Sequence, residues 1–99
     1  MREYLIQART GDGWIAFHHD DLAQVLTPAG WECAPVDGWG DHRLRLGEVE
    51  IAFSGEPPGW QISFEGEFDS HIADAVIATV THQLGEHSGR EAAWFLINK

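Results

Sequence analysis

His42-Arg43-Leu44-Arg45-Leu46, Glu48-Val49-Glu50-Ile51-Ala52-Phe53 and Trp60-Gln61-Ile62-Ser63-Phe64-Glu65-Gly66-Glu67-Phe68 follow one another in the middle of the chain. In each run an apolar residue returns at every second position. Successive side chains of a strand point to opposite faces, so a period of two with one polar face means half-buried antiparallel strands. Gly47 supplies the first turn and Glu56-Pro57-Pro58-Gly59 the second. The reading is a three-stranded meander with Leu44, Leu46, Val49, Ile51, Phe53, Trp60, Ile62 and Phe64 facing the core.

Upstream, Tyr4 to Ala8 is apolar-rich and reads as a first strand. Thr10-Gly11-Asp12-Gly13 is a turn signal. Trp14-Ile15-Ala16-Phe17 is then the second half of a hairpin or a short helix, which a run this short does not separate. Asp21 with Gln24 three residues later has the form of a capping box, and Leu22, Val25 and Leu26 form a short stripe. A helix over 21–27, ended by Pro28 and Gly30, follows. Trp31 to Val36 reads as a strand and residues 37–41 as a loop. Downstream, Asp69 or Ser70 caps a helix whose apolar face is Ile72, Ala73, Val76, Ile77, Val80 and Leu84. Asp74 is placed in its first turn, where a negative charge suits the helix dipole, and Gly85 or Gly89 ends it. Ala92 to Ile97 is apolar on both sides and reads as a closing strand inside the sheet. The expectation is one domain, residues 1–99, of α+β class: a mainly antiparallel sheet of five to six strands with two helices on one face.

The charge is lopsided. The 99 residues carry 16 acids against six Lys and Arg, a formal net charge of -10. Residues 46–89 hold eight acids and residues 10–42 six, with no Lys or Arg in either stretch. Five Trp and five Phe mark a chain that folds, so the acids are displayed on a structured surface. Such a surface favours basic partners, opposes direct binding to nucleic-acid phosphates, and opposes anionic membranes. No apolar run approaches the length of a membrane span, and the N-terminus lacks the pattern of a signal peptide. Cys33 is the only cysteine, so no intrachain disulfide forms, and a reducing, cytoplasmic compartment is expected.

Motifs for chemistry are missing. There is no Gly-rich phosphate loop, no H-E-x-x-H, no G-x-S-x-G and no C-x-x-C. Cys33 beside Glu32 has no basic neighbour to lower its pKa. His18-His19-Asp20-Asp21 is the densest set of metal-ligand types, but adjacent strand side chains point apart. His71 and His82 are eleven residues apart, about 16 Å along a helix. No enzyme activity, resident metal or cofactor is expected. A small metal- or ligand-binding accessory domain built on residues 18–21 is an alternative from another class, and an oligomerisation module pairing sheet edges is a third.

Four tryptophans follow a glycine, at 14, 31, 39 and 60. Trp14, Trp31 and Trp60 belong to apolar runs. Trp39 stands between two glycines and two aspartates, Asp37 and Asp41, where no periodic face claims it. It is either an exposed interface anchor or a lid folded over the core edge. On the outer sheet face, Arg43 and Arg45 are predicted to pair with Glu48 and Glu50 across the Gly47 turn. Glu65 and Glu67 then lack a basic partner and run on into Asp69 and Asp74. The candidate partner-binding residues are therefore Asp37, Trp39, Asp41, Glu65, Glu67, Asp69 and Asp74.

The segment Gly59-Trp60-Gln61-Ile62-Ser63-Phe64-Glu65-Gly66, the helix Ile72 to Leu84, then Gly89 and Ala93-Trp94-Phe95 resemble small acidic bacterial proteins of the immunity type. The resemblance is one of style, a strand, a helix and a closing strand with acidic dressing. It implies a cytoplasmic inhibitor that neutralises a toxin, with an acidic surface occluding a basic partner such as a nuclease or nucleic-acid-modifying enzyme. A phage-encoded inhibitor of a host nucleic-acid-binding defence protein has the same surface chemistry. The partner's identity and the oligomeric state stay open at this point.

Overall fold

In the computed structural model the described residues are 1–56 and 58–98, with the side chain of Glu56 excepted. Pro57, part of the expected second turn of the meander, lies outside them, as does Lys99.

The alternating runs form the strands they predict: β3 (His42–Leu46), β4 (Val49–Glu56) and β5 (Gly59–Glu65). Their register sets Leu44 against Ile51 and Ile51 against Phe64, so the apolar residues share one face. β1 (Arg2–Ala8) joins β5 antiparallel, with Tyr4 opposite Ile62 and Ile6 opposite Trp60. β2 (Ala34–Pro35) and β6 (Ala92–Asn98) complete a six-stranded antiparallel sheet in the order β2-β3-β4-β5-β1-β6. α1 (Leu22–Leu26) and α2 (Ser70–Ser88) complete the α+β fold. Tyr4, Ile6, Ile51, Phe53, Ile62 and Phe64 from the sheet and Val76, Ile77, Val80 and Leu84 from α2 form the core, each at most 2% exposed. Burying each such side chain is worth roughly 1.5–3 kcal/mol, which makes this layer contact the main stabilising term. No helix is long and apolar enough to cross a membrane among the described residues.

Several local expectations are corrected. Trp14 to Phe17 is neither strand nor helix but irregular chain. It is held by side chains: Trp14 and Phe17 stack on Trp60 at 5.8 and 5.4 Å, and the Trp60 indole donates to the Ile15 carbonyl. The Arg90 guanidinium donates to the Trp14 carbonyl at 2.8 Å. Two carbonyls of the segment thus find side-chain donors in place of a ladder. The Trp60 ring in turn needs its cross-strand neighbour to be glycine, because a Cβ on Gly55 would lie 2.6 Å from it.

The Asp21–Gln24 capping box does not form. Asp21 makes no side-chain cap bond. A 3₁₀ turn, His19–Asp21, precedes α1, and His18 Nδ1 accepts from the Asp20 N–H. The Asp21 carboxylate lies 3.3 Å from His87 on α2 instead. The strand expected over Trp31–Val36 contracts to β2, while Trp31 and Cys33 pack against the core from outside it. On α2, Asp69 is the cap, accepting from the His71 N–H at 2.7 Å, and Gly89 ends the helix with φ 72°. Ile72 is 50% exposed and leaves the predicted apolar face. Asp74 lies beyond the first turn, which holds no acid. β6 is not inside the sheet but at its edge.

Candidate functional site

The register places Arg43, Arg45, Glu50, Ala52, Ser63 and Glu65 on the sheet face opposite the core. Arg43 is on β3 and Glu65 on β5, so a bond between them has to cross β4. β4 carries only Ala52 opposite Arg43, and the small side chain leaves that path open. Arg43 donates through Nη2 to Glu65 and through Nε to Glu50 at 2.7 Å. Arg45 reaches the other oxygen of Glu50 at 3.2 Å. The expected pairing is therefore corrected in two ways. Glu48 falls in the Gly47 turn and makes no ion pair among the described residues, while Glu65, expected to be unpaired, holds Arg43.

Arg43 is only 9% exposed. Its hydrogen bonds to Glu65 and Glu50 hold the guanidinium pKa up, and the Arg43 bond holds the Glu50 carboxyl below its ordinary value. Trp39 closes the arrangement from above. Its ring lies 5.4 Å from the Arg43 guanidinium, a cation–π stack, yet the side chain stays 52% exposed. The loop can lie this close because residue 38 is glycine: a Cβ there would sit 2.5 Å from Arg43 Cδ. Asp41 fixes the other side of the loop by accepting from the Gly55 N–H at 2.7 Å. His42, next to it, has a buried Nε2 without a hydrogen-bond partner among the described residues, and burial lowers its pKa.

The seven candidate residues thus separate. Trp39 and Glu65 meet through Arg43, with Asp37 and Asp41 in the same loop. Asp37 and Glu67 are exposed and their side chains make no hydrogen bond or ion pair among the described residues. Asp69 is occupied by its cap. Asp74 lies on the other side of the sheet, where it accepts from Tyr4 at 2.5 Å and from Arg2 at 3.1 Å. The Tyr4 bond first, then the Arg2 bond, keep its carboxyl below the usual range. Burial, with the Asp74 bond, pushes the Tyr4 hydroxyl up to about 12. Sequence reasoning missed the Arg43 bridge. The signal was there in Ala52, a small residue midway along a strand between larger ones.

Several other polar groups are already engaged. A groove of about 720 Å³ between α2 and β6 is lined by Arg9, His82, Glu86 and Arg90 among others. Arg90 donates to the Thr10 and Trp14 carbonyls, His82 pairs with Glu86 at 3.0 Å, and the Thr81 hydroxyl donates back to Ile77. Burial pushes the Cys33 thiol up, away from the thiolate form. No group of three or more His, Cys, Asp or Glu capable of holding a metal occurs among the described residues, residues 18–21 included. The chain matches no protein-family model, no curated protein and no solved structure, so its function has to be argued from this surface.

Proposed function

We propose that the chain is a protein-binding inhibitor of the immunity type, which occludes the basic surface of a partner such as a nuclease or a nucleic-acid-modifying toxin. The observation that carries this reading is Trp39, half-exposed yet held in cation–π contact with a buried arginine. An aromatic side chain immobilised before binding loses little conformational entropy on contact, and Trp is favoured at the centre of protein interfaces. Around it the outward charge is negative. Asp37 and Glu67 are free to meet a cation, whereas Glu50 and Glu65 have Arg43 as partner and serve as its support. Asp41, Asp69 and Asp74 add to the field while holding structural bonds. A net charge of -10 steers a basic partner from a distance, and Trp39 fixes it on contact.

The test is capture on immobilised chain at low ionic strength, with Trp39→Ala and the pair Asp37→Asn, Glu67→Gln alongside. A basic protein is expected to be retained by the wild type, released by salt, and bound less by both variants. Its action on nucleic acid is expected to stop when the chain is added. Retention that neither salt nor Trp39→Ala diminishes contradicts the reading.

A further inference from the structure

The two edges of the sheet are built differently. β2 is two residues long, and its Pro35 has no N–H to offer, which blunts that edge. β6 is seven residues, Ala92–Asn98, with no charged side chain and no proline. It pairs with β1 on one side, and among the described residues no strand pairs with the other. The Arg9 N–H donates to the Glu91 carbonyl at 2.9 Å. The alternation of an antiparallel ladder then turns the main chain of Ala93 and Phe95 toward β1, and that of Ala92, Trp94 and Leu96 outward. The one irregularity of this pair, a register shift between Glu3 and Tyr4, lies beyond Leu96 and leaves Ala92–Leu96 regular. Phe95 and Ile97 are 50% exposed and Leu96 36%. An edge this long, uncharged and apolar is a template for another strand.

We propose that β6 pairs antiparallel with β6 of a second copy of this chain, across a two-fold axis at Phe95, so that two six-stranded sheets become one. Charge selects the second copy over a basic partner. A cationic protein is drawn to the acidic faces and gains nothing at an uncharged strand. Two copies at -10 each repel over most of their surfaces, and the seven uncharged residues of β6 give them a contact without like charges. The contact is isologous, as a two-fold dimer requires. Trp94 faces Leu96, and Phe95 faces its counterpart in a non-hydrogen-bonded pair, where Cβ atoms are about 4.5–5.5 Å apart. This surface is separate from Trp39, and the inference does not depend on the partner-binding reading.

The experiment is sedimentation of the full chain over a range of concentration and ionic strength. A monomer–dimer equilibrium is expected, with the dimer strengthened by salt, because screening relieves repulsion between two acidic copies. That sign is opposite to the one expected for binding a basic partner. Phe95→Lys, at a half-exposed position, is expected to give a folded monomer by circular dichroism and thermal melting. In a Cys33→Ser background, Phe95→Cys is expected to oxidise to a covalent dimer, whereas the exposed α1 substitution Gln24→Cys does not. Trp39→Ala is expected to dimerise like the wild type, so the two readings fail separately. A chain that stays monomeric at millimolar concentration overturns the proposal. So does a dimer that survives Phe95→Lys, or one that cross-links no better through Phe95→Cys than through Gln24→Cys.

Discussion

Two arginines in this small acidic domain do the same chemistry in different places. Arg2 binds Asp74 and Tyr4 on the helix-bearing side of the sheet, and Arg43 binds Glu50 and Glu65 on the opposite face. Both neutralise acids that the sequence presents as surplus, and both are largely buried, at 14% and 9% side-chain exposure. They differ in what closes them. The Arg2 cluster is completed by the hydroxyl of Tyr4, a core residue that is 0% exposed. The Arg43 cluster is completed by Trp39, which keeps half its surface in solvent. An ion-pair cluster closed by a buried residue has a structural job and nothing left over. One closed by an exposed tryptophan leaves an aromatic surface in solvent as well, and that difference is the reason the proposed partner site is placed at Trp39.

The largest effect expected is that of Arg43→Ala. It leaves Glu65 without a cation and Glu50 with only the exposed Arg45, and it removes the platform under Trp39. Breaking a buried pair on one side costs about 3–5 kcal/mol, and partial exposure of both carboxylates brings this to about 2–3 kcal/mol. For a domain of this size the melting temperature falls on the order of 10–20 °C. Arg45→Ala, at an exposed position, is expected to leave it within about 4 °C. Equal losses for the two variants would break the distinction between them. Calorimetric melting makes the comparison.

Next comes pH. The Tyr4 hydroxyl is raised to about 12 from an ordinary 10, so the folded state holds a proton there that the unfolded chain gives up. The stability from this group is complete below pH 10 and is lost as pH rises toward 12. Tyr4 is the only tyrosine. Its ultraviolet titration therefore reports this one cluster, and a native midpoint near 10 would show the hydroxyl to be free. On the acid side the sign reverses. His42 is held below its ordinary 6.5 by burial, so stability begins to fall as pH drops below 6.5. Glu50 and Asp74 are held below their ordinary 4.5 and 3.8, so their contribution is present above those values and is lost below them. His42→Phe is expected to flatten the upper part of the acid limb, and Asp74→Asn the lower part.

Tyr4→Phe is expected to cost about 1–2 kcal/mol, because the hydroxyl gives up its bond to the Asp74 carboxylate and its bond from Arg2 Nε, while Arg2 still reaches Asp74. Trp39→Ala is expected to cost about 0.5–1 kcal/mol, for a half-exposed cation–π contact. Denaturant melts of the two variants sharpen the comparison. If Trp39→Ala costs as much as Arg43→Ala, the tryptophan is part of the fold and its exposure is incidental.

Much of the fold was legible because the meander repeats with a period of two and α2 carries caps at both ends. What misled was local. Trp14 to Phe17 has the residues of a strand, but its carbonyls find side-chain donors in Trp60 and Arg90, from strand and loop far away in sequence. The Asp21–Gln24 spacing suits a capping box, but His87 on α2 takes the aspartate. β6 reads as interior because both its faces are apolar, and apolarity alone does not distinguish a central strand from an unguarded edge. At the site, Trp39 and the acids around it were visible as an aromatic without a periodic face. The division of those acids was not visible, because Arg43 reaches Glu65 across an intervening strand and Arg2 reaches Asp74 over 72 positions.

The most direct measurement is the association rate of the captured basic partner with wild type and Trp39→Ala, between ionic strengths of about 0.01 and 1 M, over which the Debye length falls from about 30 to 3 Å. The account expects the association rate to fall steeply with salt and equally for both proteins, with Trp39→Ala dissociating faster throughout. An association rate that does not change with salt, or a Trp39→Ala complex as long-lived as the wild type, contradicts it.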